Sequence, residues 1–245
     1  MKPGLPFIFL FIILFSNCNV KPNRTVSEDD ESAEDSIQVI LKYYEGSSEV
    51  VEYEIPVLKG SQIRHGTQKR FYKHGSLYSS IPYVNDKREG IAYTYYSAAV
   101  GVEPTVWKEQ PYKNNLLNGV CKRYHRNGRI QAEYEYKNGN PRIGMKEFSE
   151  SGKPVKLPSL ILTKSRISDG YYISAKLSNN SKNVNYFTGN LDENQYLPKG
   201  LKGLQVRDGT GEMVVYQSSG NITITAVYVT RYRNKCIISK TISLN

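Results

Sequence analysis

The sequence predicts an all-β chain, a sheet of tandem β-hairpins followed by a β-sandwich. Three observations carry that expectation. Tyrosine is used heavily, 20 residues against 7 Phe and 1 Trp, and tyrosine suits strands with half-wet faces. No long apolar stripe of helical period runs through the chain, so amphipathic helices are not expected. Glycine recurs at Gly66, Gly90, Gly119 and Gly144, with spacings of 24, 29 and 25 residues, as in a repeated supersecondary unit.

Residues 1–18 read as a targeting segment. Lys2 precedes Phe7 to Phe15, FIFLFIILF, nine apolar residues in a row. A bilayer span needs roughly 20, so the run suits a signal-peptide core instead. It ends at SNC, with Cys18 just after it. This resembles a bacterial lipoprotein signal of the looser kind found among Bacteroidetes lipoproteins, with Phe15 and Asn17 where Leu and a small residue are usual. The resemblance implies a lipid on Cys18 and a place in the cell envelope. It would be an outer-membrane lipoprotein, facing the periplasm or the surface. Ordinary cleavage and an uncleaved anchor are the alternatives.

Residues 19–36 carry six acids, Glu28, Asp29, Asp30, Glu31, Glu34 and Asp35, and almost no large apolar side chains. Such a segment cannot bury enough surface to offset chain entropy and reads as a disordered acidic tether. The remaining residues, 36–245, hold 30 Lys and Arg against 17 Asp and Glu, a net charge of about +13. A field of that sign attracts an anionic surface or an acidic envelope protein; a merely solvated basic face is the plainer alternative. A nucleic-acid partner is not expected for an exported chain.

Residues 37–155 contain the repeat. After each glycine comes a polar or basic strand with an aromatic, Phe71, Tyr95 or Tyr124, five residues on. A tight turn follows, His74-Gly75 or Asn127-Gly128, then a second strand ending in Tyr-x-Asn, at Tyr83, Tyr112 and Tyr136. Asn-Gly between alternating residues is a strong hairpin signal. One hairpin alone is marginal in water, so neighbouring units must stack through their aromatics. Unit two replaces its tight turn with SAAVGVEPTVW, which carries the single tryptophan, Trp107. That longer loop is a candidate contact site, and covering the sheet is an equally good reason for its tryptophan. KYYEGSSEVVEYEIPVLKG upstream is a degenerate first unit, with Ile55-Pro56 matching Ile81-Pro82.

The pattern of Gly, an aromatic, Asn-Gly and then Tyr-x-Asn-Gly resembles the MORN repeat variant of bacteria, most clearly in GVCKRYHRNGRIQAEYEYKNGNPRIG. The resemblance implies a curved or extended sheet of hairpins used for binding or scaffolding. It brings no catalytic residue. Some relatives carry antitoxin labels, so neutralisation of a partner toxin is an alternative function.

Residues 156–245 change rhythm. Seven short strand-like segments, among them Gly203–Arg207, Ile222–Tyr232 and Cys236–Ser243, alternate with turn clusters such as SDG, RDGTG and RNK. This is the texture of a β-sandwich, and the closing hairpin around RNK resembles that of an immunoglobulin-like domain.

Chemistry is sparse. There is no G-x-S-x-G, P-loop, dinucleotide fingerprint or H-E-x-x-H, and no enzyme activity, cofactor or metal is expected. Cys121 and His125, four apart, could share a strand face with His65 or His74 as metal ligands, but His74 already fills a turn place. Glu133 and Glu135 share a face, where pairing with cross-strand Lys or Arg outweighs acid–base work. A carbohydrate-acting enzyme would need a cleft built from acids that sit mainly in turns, Asp169, Asp192, Glu193, Asp208 and Glu212. Cys121 and Cys236 are expected to be small buried hydrophobes.

Overall fold

The computed structural model describes residues 36–245, which contain strands and turns and no helix. Cys18, the apolar run and the acidic segment through Asp35 lie outside the described residues. The strands of the first part are β1 (Ile37–Tyr43), β2 (Val51–Leu58), β3 (Gly66–Phe71), β4 (Leu77–Val84), β5 (Lys87–Arg88), β6 (Gly90–Tyr95), β7 (Val106–Lys113), β8 (Leu116–Leu117), β9 (Gly119–Tyr124), β10 (Ile130–Lys137), β11 (Asn140–Pro141) and β12 (Lys146–Glu147). They form one antiparallel sheet of twelve strands, ordered β1-β2-β3-β4-β6-β7-β9-β10-β11, with β5, β8 and β12 added to β4, β7 and β10. The long strands pair in chain order, as in a meander, and the short ones fold back on the long strand before them.

Few side chains of this sheet are fully buried. Pro56, Val57, Ser79, Tyr83, Ala92, Cys121, Gln131, Ala132 and Glu147 are, while most others are half-buried. A sheet with two half-wet faces explains the abundance of tyrosine, which packs with its ring and solvates its hydroxyl.

The Tyr-x-Asn stretches are two-residue turns. Tyr83 pairs with Arg88 around Asn85-Asp86, Tyr112 with Leu117 around Asn114-Asn115, and Tyr136 with Pro141 around Asn138-Gly139. Both turn residues have positive φ in each case, between 48° and 79°. That is the type I′ hairpin turn, where Asn and Gly are favoured because they tolerate the left-handed region. The short return strands β5, β8 and β11 are too brief to show as strands in sequence.

The second part contains β13 (Leu160–Ile167), β14 (Gly170–Leu177), β15 (Val184–Thr188), β16 (Lys202–Gly203), β17 (Gln205–Arg207), β18 (Thr210–Val215), β19 (Asn221–Val229) and β20 (Lys235–Ser243). Two four-stranded sheets result, ordered β13-β14-β18-β17 and β16-β15-β19-β20. Their inward residues share one core that includes Ile173, Leu177, Tyr186, Ile224, Ala226 and Cys236. Gly211 carries no side chain because Tyr186 lies against it; an added Cβ would meet that ring at 2.5 Å.

Two expectations are corrected in detail. Gly203–Arg207 is not one strand. β16 pairs with β15 in one sheet and β17 with β18 in the other, and the chain crosses between them at Leu204, whose amide donates to the Tyr186 carbonyl. The closing hairpin also turns earlier than RNK. Val229 faces Lys235, and Thr230 to Asn234 make the turn, leaving Tyr232 outside β19.

Candidate binding surface

The first three repeat glycines each stand opposite the tyrosine that ends their hairpin. Gly66 pairs with Tyr83, Gly90 with Tyr112 and Gly119 with Tyr136. Behind each lies a proline of the preceding long strand. At Gly119, with φ +122°, an added Cβ would meet Pro111 Cγ at 3.1 Å, and Pro82 and Pro56 stand likewise behind Gly90 and Gly66. The prolines sit where the long strand stops pairing with the next unit; their carbonyls accept from Asn118, Glu89 and His65. A proline fits there because no ladder N–H is required. Gly144 has φ +91° but meets nothing within 4 Å, so the fourth unit keeps the conformation without the contact.

A second ladder ties the units together at their other ends. Tyr44 donates its hydroxyl to the carbonyl of Phe71 at 2.7 Å, Tyr72 to Tyr95 at 3.0 Å, and Tyr96 to Tyr124 at 2.8 Å. His125 takes the tyrosine's place in the next step, its Nε2–H donating to the Phe148 carbonyl at 2.9 Å. Phe71, Tyr95 and Tyr124 thus occupy equivalent positions as acceptors. The donors were not singled out from the sequence, although each is the second member of an aromatic pair, as in Phe71-Tyr72 and Tyr95-Tyr96. Cys121 is fully buried and free, its thiol pushed up to about 12 by burial first and then by Glu109. Cys236 is likewise free, pushed up to about 11 chiefly by burial. Neither thiol supplies thiolate at neutral pH, and among the described residues no three His, Cys, Asp or Glu gather as metal ligands.

The turn edge of the sheet is basic. Two residues before Gly66 and Gly90, Arg64 and Arg88 lay their guanidinium groups on Tyr83 and Tyr112, 4.2 and 4.3 Å from the ring centroids. The turns also interlock. Asp86 accepts from the Arg64 amide and forms an ion pair with its side chain, and Asn115 accepts from the Arg88 amide. Lys87, Lys113 and Lys137, one at each turn, are exposed and form no ion pair among the described residues.

Glu133 and Glu135 line a groove of about 650 Å³ with Arg142, Lys146 and Gln195. Glu135 accepts from the Tyr196 hydroxyl at 2.6 Å and from Arg142 at 2.7 Å. The tyrosine bond first, then the arginine, holds its carboxyl below the usual carboxylate range, so it is not a proton donor at neutral pH. Its contribution to stability is present above that range and fades as pH falls through the lowered value. Tyr196 is shifted upward by the same bond, so its share fades only as pH rises past the ordinary tyrosine range. This is a clasp between the two parts of the chain.

A second junction is buried. Glu147 accepts from Thr230 Oγ1 at 2.5 Å and Asn234 Nδ2 at 2.7 Å. Asn234 Oδ1 accepts from Arg123 at 2.7 Å, and the same arginine nitrogen reaches the carbonyls of Tyr232 and Arg233. Trp107, expected on a contact loop, stands at the start of β7 beside these groups, half-buried, with Tyr96 at 5.9 Å between ring centroids.

No curated protein and no solved structure matches the chain. The MORN repeat variant does, at residues 64–85 and 117–138. Each matched segment runs from the residue two before the repeat glycine to the asparagine of the type I′ turn, one full unit of the ladders above. The unit between them is stretched by the loop ahead of Trp107. Such repeats are in general binding or scaffolding modules and not catalysts, and in these two segments the chain is similar to them.

Proposed function

We propose that this chain is a non-catalytic binding and scaffolding lipoprotein of the bacterial cell envelope, whose repeat sheet docks an anionic partner along its turn edge. The observation that carries the reading is the row of Lys87, Lys113 and Lys137 without internal counter-ions, beside arginines held flat on tyrosines. A line of cations spaced along the turns of one sheet attracts an extended anion. Reversing all three lysines to glutamate is expected to lower the salt needed to elute the protein from an immobilised polyanion, with thermal stability unchanged. Elution at the same salt would sink the docking edge.

The second part is an immunoglobulin-like spacer. Its support is the strand order. Naming the eight strands A, B, C, C′, D, E, F and G in chain order, the sheets read A-B-E-D and C′-C-F-G, the arrangement of that fold. The anchor is lipid on Cys18, supported by its place after the apolar run. Cys18→Ala is expected to move the protein from the membrane to the soluble fraction on cell fractionation; retention in the membrane would count against lipidation.

A further inference from the structure

At the opposite edge of the sheet from the lysine row, three cations gather without a counter-ion. Lys108 on β7 stands directly across from Arg123 on β9, and like charges facing one another weaken a strand pair. The Lys108 amine lies 3.9 Å from the Trp107 ring centroid and the Arg123 guanidinium carbon 5.3 Å from it. Arg126 packs 4.8 Å from the ring of Tyr96. None of the three forms an ion pair among the described residues.

The nearby acids are committed elsewhere. Glu109 turns to Lys122 and Tyr124 on the other face of the same strands. Glu147 is enclosed by Thr230 and Asn234. Glu150 lies near enough to act on Tyr96 but pairs with no cation. Arg123 is anchored through one terminal nitrogen to the turn at 230–234, while its Nε is buried without an acceptor. Burial, and then Arg123, lower the proton affinity of Lys108. A tryptophan face offsets part of this by cation–π attraction, typically about 1 kcal/mol per cation, and an incoming anion would relieve the remaining repulsion.

We propose that Lys108 and Arg123, flanked by Trp107, Tyr96 and Arg126, form a subsite for a compact oxyanion, a phosphate, sulfate or carboxylate group. The proposal rests on the reading of the sheet as a dock for an anionic partner and adds a discrete site at the edge opposite the lysine row. Trp107 is the only tryptophan, so its fluorescence reports the site directly. The full chain would be titrated with inorganic phosphate, glucose 6-phosphate and glucuronate. A saturable change in Trp107 emission is expected. Response to inorganic phosphate identifies a site for the free ion; response to the sugar acids alone identifies one for a sugar-borne group. Lys108→Met should weaken the response about 10-fold, Arg126→Gln less, and Lys122→Met, on the opposite face, not at all. No saturable change by about 10 mM of any probe, or a response indifferent to both Lys108→Met and Arg126→Gln, overturns the subsite. Polyanion retention that survives Lys108→Met but is lost on reversing the three turn lysines would leave the docking edge intact and separate the two readings.

Discussion

Gly170→Ala is expected to lower the melting temperature by about 10 °C, more than alanine at any other glycine of the described residues. Gly170 opens β14 with φ +153°, and an added Cβ would lie 2.0 Å from the Val215 carbonyl oxygen and 3.0 Å from the Tyr216 Cα. Both obstacles are backbone, so no rotamer change relieves them. β14 must shift against β18, and Tyr171 and Ile173, which face the core from β14, must move with it. Displacing packed backbone costs roughly 1–3 kcal/mol, and the φ strain adds a comparable amount, giving about 4 kcal/mol together. Gly200→Ala is the control. It has φ +84° but nothing within 4 Å of a new Cβ, so only the left-handed strain of roughly 1–2 kcal/mol applies. Calorimetry on the two variants separates steric from conformational loss. Equal melting temperatures would show that β14 and β18 can part locally, and the account of the sandwich core would fail.

Much of the repeat part is legible in sequence because its constraints are local. A glycine opposite a tyrosine and against a proline, as at Gly119, allows no side chain and so recurs at fixed spacing. The turn asparagines announce themselves because two successive positive φ values leave few residue choices. The register of the long alternating strands β19 and β20 follows from one buried face. What was hidden is long-range or too short to carry a pattern. Nothing near Leu204 signals that the chain changes sheets there, since the cause is the Tyr186 carbonyl it meets. The hydroxyl ladder from Tyr72 and Tyr96 shows only as paired aromatics, and whether a tyrosine packs by its ring or bonds by its tip is decided by the neighbouring unit. Glu147 and Asn234 read as an ordinary strand acid and a turn residue, and only folding brings them together, 87 residues apart.

That junction carries the second large effect. Asn234→Ala is expected to destabilise the chain by about 4 kcal/mol and to split its unfolding. Asn234 is 2% exposed and bridges two charged groups, accepting from Arg123 and donating to Glu147, itself 2% exposed. Removing the amide takes one donor from a buried carboxylate and one acceptor from a guanidinium whose Nε already lacks a partner. Hydrogen bonds to charged groups contribute roughly 1.5–3 kcal/mol each, and the stranded groups keep their desolvation penalty. The loss falls between the repeat sheet and the closing hairpin, so its signature is in cooperativity as well as in stability. Trp107 emission follows the sheet beside Arg123, whereas far-ultraviolet dichroism follows every strand. In the native chain the two are expected to change together under denaturant; in Asn234→Ala the tryptophan signal should move first. Asn127→Ala, which removes an exposed turn amide bonded to the Glu150 carbonyl, should cost about 1 kcal/mol and leave the two signals coincident. If Asn234→Ala behaved like Asn127→Ala, the buried bridge would not be what couples the two sheets. The clasp of Glu135 with Arg142 and Tyr196, with the backbone bonds from Ile143 to Gln195 and from Leu197 to Pro141 beside it, would then have to carry that coupling.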